Sequence, residues 1–189
     1  PDQKCPGVEF CGGSLGIGLP YSIGNALAAR IDGTDHTIYT ITGDGESDEA
    51  QVWEAAMTAA KYKIDNMTVL LDRNFIQQDS YTEKIMPLDE ELLGDDLSEM
   101  WKDASRWKTG DKWRSFGWNV IEIDGHRIEQ ISDAIRRANQ TKGLPSIIIA
   151  RTIKGKGVEH MEDNPQWHGK APKPEIVPII EDELESQFM

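Results

Sequence analysis

The stretch Thr37-Ile-Tyr-Thr-Ile-Thr-Gly-Asp-Gly45 decides the fold class. Residues 37–42 are β-favouring, Gly43-Asp44-Gly45 is a turn, and residues 47–62 then take up helical spacing. That helix opens on Ser47 and acidic residues and continues through Val52, Ala55, Ala56, Ala59 and Ala60. Further out, residues 67–71 and 146–151 are β-rich runs, and 120–123 make a fourth. Each is apolar at nearly every position, as strands buried on both faces are. Residues 20–30 are Ala-rich with Pro20 in a first turn, and 128–139 present Ile128, Ile131 and Ile135 before Gly143 and Pro145. Strands alternating with helices predict an α/β fold, a mainly parallel sheet flanked by helices.

The remaining segments are less regular. Residues 79–112 mix acids with Trp101 and Trp107 and read as an insertion with some short helix across the rim of the sheet. Residues 155–174, polar and rich in Gly and Pro, read as an ordered loop, and 175–189 as an acidic tail ending in a short helix. With no internal repeat and no linker, residues 1–189 read as a single domain.

A formal net charge of −13 repels phosphate polyanions, so the composition argues against a nucleic-acid or anionic-membrane partner. The longest apolar runs, such as 147–150, are far too short to span a bilayer. Cys5 and Cys11 support neither a disulfide framework nor a zinc site; a single disulfide is open, and reduced thiols in a cytoplasm are the expectation. The chain opens at Pro1 without an initiator Met, which reads as a truncated N-terminus.

In an open parallel sheet ligands collect at the carboxyl ends of strands, where the Gly43-Asp44-Gly45 turn falls. Asp44 supplies a hard oxygen ligand there, and the two glycines let the backbone approach a phosphate closely. Asn74 follows the run 67–71 after one α/β repeat, so it falls at the end of a strand near the one bearing Asp44. A carboxylate and an amide oxygen so placed, with the carbonyl of Ile76 as a third ligand, can grip one Mg²⁺ that also holds a diphosphate. Taken alone, Gly-Asp-Gly is equally a capped turn.

The spacing of Gly43-Asp44-Gly45 to Asn74 resembles the thiamine diphosphate-binding pattern, and its surroundings resemble transketolases of the split type. Thr42-Gly-Asp-Gly-Glu-Ser-Asp-Glu-Ala-Gln-Val-Trp-Glu-Ala-Ala-Met57 carries the resemblance, as do Pro6-Gly-Val-Glu-Phe10 and Gly13-Ser-Leu-Gly-Ile-Gly-Leu19. Lys154-Gly-Lys-Gly-Val158 and Asn164-Pro-Gln-Trp-His-Gly-Lys-Ala-Pro172 extend it nearly to the end. The resemblance implies a diphosphate-binding (PP-type) domain, truncated at its N-terminus, that uses thiamine diphosphate with Mg²⁺ (or Ca²⁺). It implies Asp44, Asn74 and the Ile76 carbonyl as metal ligands, Gly45 as a diphosphate contact, and Gly13 and Leu15 in a loop against the cofactor. His168 matches a histidine that touches the diphosphate and the reacting substrate, where an imidazole can shuttle protons. Glu49 and Glu54 match acids on a hydrogen-bonded path between active sites. On one continuous helix they would point about 140° apart, and the plain alternative is a solvated acidic helix start. His36, His126 and His160 match no role. Cys11, Ile17 and Gln78 depart from the family's common residues near the cofactor, and its substrate-binding histidines would fall upstream of Pro1.

Thiamine diphosphate carries the hard chemistry itself, and in this superfamily a glutamate on a separate pyrimidine-binding domain starts it. A second α/β domain needs about 100 or more residues, so the resemblance implies a partner chain, a C-terminal transketolase subunit in an α₂β₂ assembly. The implied reaction moves a two-carbon ketol unit from a ketose phosphate to an aldose phosphate. Three alternatives stand beside it. One is another thiamine diphosphate enzyme, such as deoxyxylulose-phosphate synthase or a 2-oxo acid dehydrogenase E1 α-chain. Another is a non-catalytic, cofactor-holding subunit. The third is a nucleotide-binding domain using residues 12–16, which lack the spacing and preceding strand of a dinucleotide site.

Overall fold

The computed structural model describes residues 5–94 and 96–187, without the side chain of Glu99. Four strands form one parallel sheet in the order β1-β2-β4-β3: β1 (Ile38–Gly43), β2 (Met67–Arg73), β3 (Asn119–Asp124) and β4 (Ser146–Arg151). The parallel α/β reading and all four strands are thus present, with ends moved by one or two residues. β2 and β4 are central and almost wholly buried, which is why their sequences are apolar without alternation.

Helices cover both faces. On one lie α1 (Gly18–Ile31), α2 (Ala50–Lys61) and α5 (Thr109–Ser115), packed on Met67, Val69, Leu71, Ile147 and Ile149. Ala55, Ala56 and Ala59 let α2 lie close to the sheet, and Trp118 donates its indole N–H to the Ala56 carbonyl at 3.0 Å. On the other face α6 (Ile128–Gln140) sets Ala134 and Ala138 against Ile121 and Ile148. It meets β1 near its C-terminal end, where Asn139 hydrogen-bonds the Tyr39 hydroxyl, and Tyr39 and Ile41 stay exposed.

The region from 79 to 112 does lie at the rim. It contains two short helices, α3 (Thr82–Ile85) and α4 (Ser98–Lys102), and its own core of Phe75, Leu92, Leu97 and Met100. Residues 155–174 are irregular apart from a 3₁₀ turn at Pro165–Trp167. The tail forms α7 (Val177–Ser186), and residues 188–189 lie outside the described structure. Cys5 and Cys11 are free and exposed. No described helix is long and apolar enough to cross a membrane.

One helix differs from its sequence reading. Residues 45–48 form a 3₁₀ turn, Glu49 is extended (φ −74°, ψ 128°), and α2 begins only at Ala50. Glu49 therefore precedes the helix, and the 140° relation to Glu54 does not apply. The physical cause is Asp44: its carboxylate accepts from the Gly45 N–H at 2.8 Å and winds the turn locally before the helix can start.

Candidate functional site

Parallel pairing sets Gly43 of β1 opposite Asp72 of β2, so the next residues of both strands leave the sheet side by side. Asp44 is 1% exposed. Its Oδ1 accepts from Gly45, while its Oδ2 accepts from the Phe75 N–H at 2.6 Å and from Arg73 Nη1 at 2.8 Å. The chain can present the Phe75 N–H because Phe75 takes φ +64°, a conformation rare for a bulky residue. Burial pushes the Asp44 carboxyl up, and Arg73 and the backbone donors offset this only in part.

Asn74 is buried beside it. Its Oδ1 accepts from the Ile76 N–H at 3.0 Å and its Nδ2 donates to Asp72 Oδ2 at 3.0 Å. The two loops also meet at Gly45, where an added Cβ would sit 2.6 Å from Gln77 Cβ, and at Asp48, which accepts from Gln77 Nε2 at 3.0 Å. Burial, with the Asp44 charge adding, raises Asp48 to about 6. Asp44, Gly45, Asn74 and Ile76 therefore converge as the spacing implied.

The loop holding Gly13 and Leu15 docks on the same turn. Glu46 Oε1 accepts from the Gly16 N–H at 2.8 Å, and Gln51 Nε2 donates to the Leu15 carbonyl at 2.8 Å. A Cβ on Gly16 would meet Glu49 Cβ at 2.7 Å. Gly13 and Leu15 themselves are exposed, as are Glu49 and Glu54. No described strand precedes this loop. His168 follows the 3₁₀ turn 165–167 and lies within electrostatic range of Asp44. Burial and the Lys154 ammonium hold its pKa below the usual value, against the pull of Asp44.

Sequence reasoning missed Arg73. Fully buried, it pairs with Asp44, with Glu83 and with Asp89 (3.1 Å), while its guanidinium lies 4.1 Å from the Phe75 ring centre. Arg151 adds a second cation on Asp89 at 3.2 Å and stacks 3.8 Å over Trp107. An arginine closing a buried strand was the available signal. Burial alone would raise Asp89, but Arg73, Arg151 and the Thr109 donors outweigh it and hold the pKa at about 2. A depressed carboxylate stabilises the fold above its unfolded pKa of about 3.9. That contribution, about 2 kcal/mol, is lost as pH falls from about 4 to about 2. Urea unfolding across this range should show an acid limb in the wild type that Asp89→Asn flattens.

The donor set fits a hard divalent cation. Asp44 Oδ1 and Asn74 Oδ1 each accept one hydrogen bond and so keep a lone pair, and no described hydrogen bond ends on the Ile76 carbonyl. Among the described residues, the buried charges are Asp44, Glu83 and Asp89 against Arg73 and Arg151, one negative charge in excess. No described cluster of three His, Cys, Asp or Glu could hold a metal unaided, so a cation here would share a ligand's oxygens. An open groove of about 460 Å³ beside Asn74 is lined by Asp72, Thr152 and Lys154 together with Ile41, Leu70 and Ala150.

Residues 1–184 match the family model for the transketolase thiamine diphosphate-binding domain. The chain is 38% identical over 185 residues to one subunit of the apulose-4-phosphate transketolase of Actinobacillus succinogenes, covering 98% of itself and 60% of that protein. It is 39% identical to the 6-deoxy-6-sulfo-D-fructose transketolase subunit SqwG of a Clostridium species, again over 98% of itself and 61% of the relative. Transketolase from Campylobacter jejuni superposes with a TM-score of 0.75 at 27% identity, covering 98% of this chain and 27% of that one. The chain thus spans about three-fifths of the length of the split relatives it matches. With the family model and these relatives in agreement, the chain belongs to the transketolase thiamine diphosphate-binding domain family.

Proposed function

We propose that this chain is the diphosphate- and Mg²⁺-binding part of a split transketolase, a single PP-type domain that acts with a pyrimidine-domain partner subunit. The observation that carries the reading is the Asp44–Asn74 pair, two hard oxygens with free lone pairs beside a buried excess of negative charge. Asp44, Asn74 and the Ile76 carbonyl would hold Mg²⁺ (Ca²⁺ has the same oxygen preference), and Gly45 would contact the diphosphate. When bound, thiamine diphosphate supplies the carbon nucleophile and electron sink for moving a two-carbon ketol unit between sugar phosphates. His168, held neutral near pH 7, can take or give a proton beside the diphosphate. Gly13 and Leu15 would lie against the cofactor from the docked loop.

Exposed apolar side chains support a partner. Leu15, Ile17, Tyr21 and Met57 present large apolar surface on the loop, α1 and α2; Glu54 lies on α2 and Glu49 immediately precedes it. Such a surface suits a contact between subunits across which those two acids would work, in an α₂β₂ assembly. The names of the split relatives, which mark each as one subunit of an enzyme, support a partner subunit. Free, exposed cysteines accord with a cytoplasmic location.

Calorimetric titration of thiamine diphosphate tests the proposal, with Mg²⁺ and then with EDTA, on wild type and Asp44→Ala. Weak binding that needs both metal and Asp44, and that tightens at least about tenfold on adding the partner, is the expected result. No binding under any condition, partner included, would replace this reading with a non-catalytic subunit.

A further inference from the structure

An asparagine serves a metal only through its oxygen, so something must decide which end of the Asn74 amide faces the cation. We infer that Asp72 is that residue, a positioning group that fixes the Asn74 amide in its metal-ready orientation. The inference rests on the metal role proposed for Asn74.

The partners of the amide are chemically one-sided. Carboxylate oxygens accept, and the atom facing Asp72 Oδ2 at 3.0 Å is Asn74 Nδ2, which donates. The Ile76 N–H can only donate, so the atom facing it at 3.0 Å must be Oδ1. The flipped amide would set donor against donor and acceptor against acceptor at once. Asp72 is itself held from the neighbouring strand. Its Oδ1 accepts from the Thr152 hydroxyl, and the Thr152 N–H continues the β2–β4 ladder by donating to the Arg73 carbonyl at 3.2 Å. Asp72, Asn74 and Thr152 line one groove, so the orienting chain runs from β4 through β2 to the proposed ligand. Nothing in the burial of β2 requires an acid at its penultimate position.

The test uses Mn²⁺ as a paramagnetic probe, titrated by electron spin resonance into the full chain with thiamine diphosphate, for wild type, Asp72→Ala and Asp72→Asn. Asp72→Ala should bind Mn²⁺ about 10–100-fold more weakly, the usual cost of losing a residue that orients a ligand. Asp72→Asn should stay within about threefold, because an amide oxygen still accepts from Asn74 and its NH₂ can donate to Thr152. Circular dichroism and the urea midpoint establish that each variant is folded. Should the alanine variant not fold, Thr152→Val frees Asp72 and should weaken binding at least about threefold. Asp72→Ala binding like wild type, or Asp72→Asn failing as badly as Asp72→Ala, would overturn the inference while leaving the proposed function intact. Wild type that binds no Mn²⁺, with or without the partner, would overturn both.

Discussion

Replacing Arg73 with Leu should lower the unfolding free energy by about 3–5 kcal/mol, enough to unfold much of the chain at neutral pH. Leucine fills much of the space but leaves Asp44, Glu83 and part of the Asp89 pairing as buried carboxylates without their counter-charge. Breaking one side of a buried pair costs far more than the pair ever contributed, because the remaining charge can neither ionise cheaply nor find water. Arg73→Lys should recover only part of the loss, since a single ammonium cannot present separate nitrogens to three acids. The pH response gives an independent check. With the guanidinium gone, the orphaned carboxyls take up protons readily in the folded state. Stability of Arg73→Leu should therefore rise as pH falls from about 7 towards about 5. A variant within about 1 kcal/mol of wild type at pH 7 would mean that the network contributes little to the fold.

The second large effect should fall on binding. Gly45→Val puts a branched side chain where even a Cβ lies 2.6 Å from Gln77 Cβ and 3.6 Å from its Cα. The obstacle is the root of a side chain and its backbone, so it cannot swing aside as a flexible tip would. Turn 44–48 and loop 74–78 must separate, and with them the oxygens of Asp44 and Asn74. Metal-dependent binding of thiamine diphosphate should weaken at least about tenfold, with an unfolding cost of about 1–3 kcal/mol from overpacking. Gly24, inside α1 with open space where its Cβ would be, is the control. Gly24→Ala should gain about 0.5–1 kcal/mol by helix propensity and leave binding alone. Calorimetry and urea unfolding on the same three proteins separate the two effects. Unchanged binding in Gly45→Val would show that the contact between the loops is not needed by the site.

The division between sequence and structure follows from the range of the forces. Over short range the sequence by itself determined four strands, the helices between them and a parallel sheet, because burial on both faces erases alternation and leaves runs such as Ser146–Arg151. It also determined that Asp44 and Asn74 would meet, since a single α/β repeat separates strand ends that parallel pairing must bring together. The tertiary structure alone decided that Glu49 stands outside α2, because the Asp44 cap winds residues 45–48 into a tighter turn. It alone placed Arg73 among acids 29, 10 and 16 residues away and tied Arg151 to Asp89 across 62. Periodicity reports which face a residue turns to the core, and it carries no information about which distant charge waits there. A buried charge must find partners wherever the fold puts them, so the ion network around the proposed metal site could be known only from the folded chain.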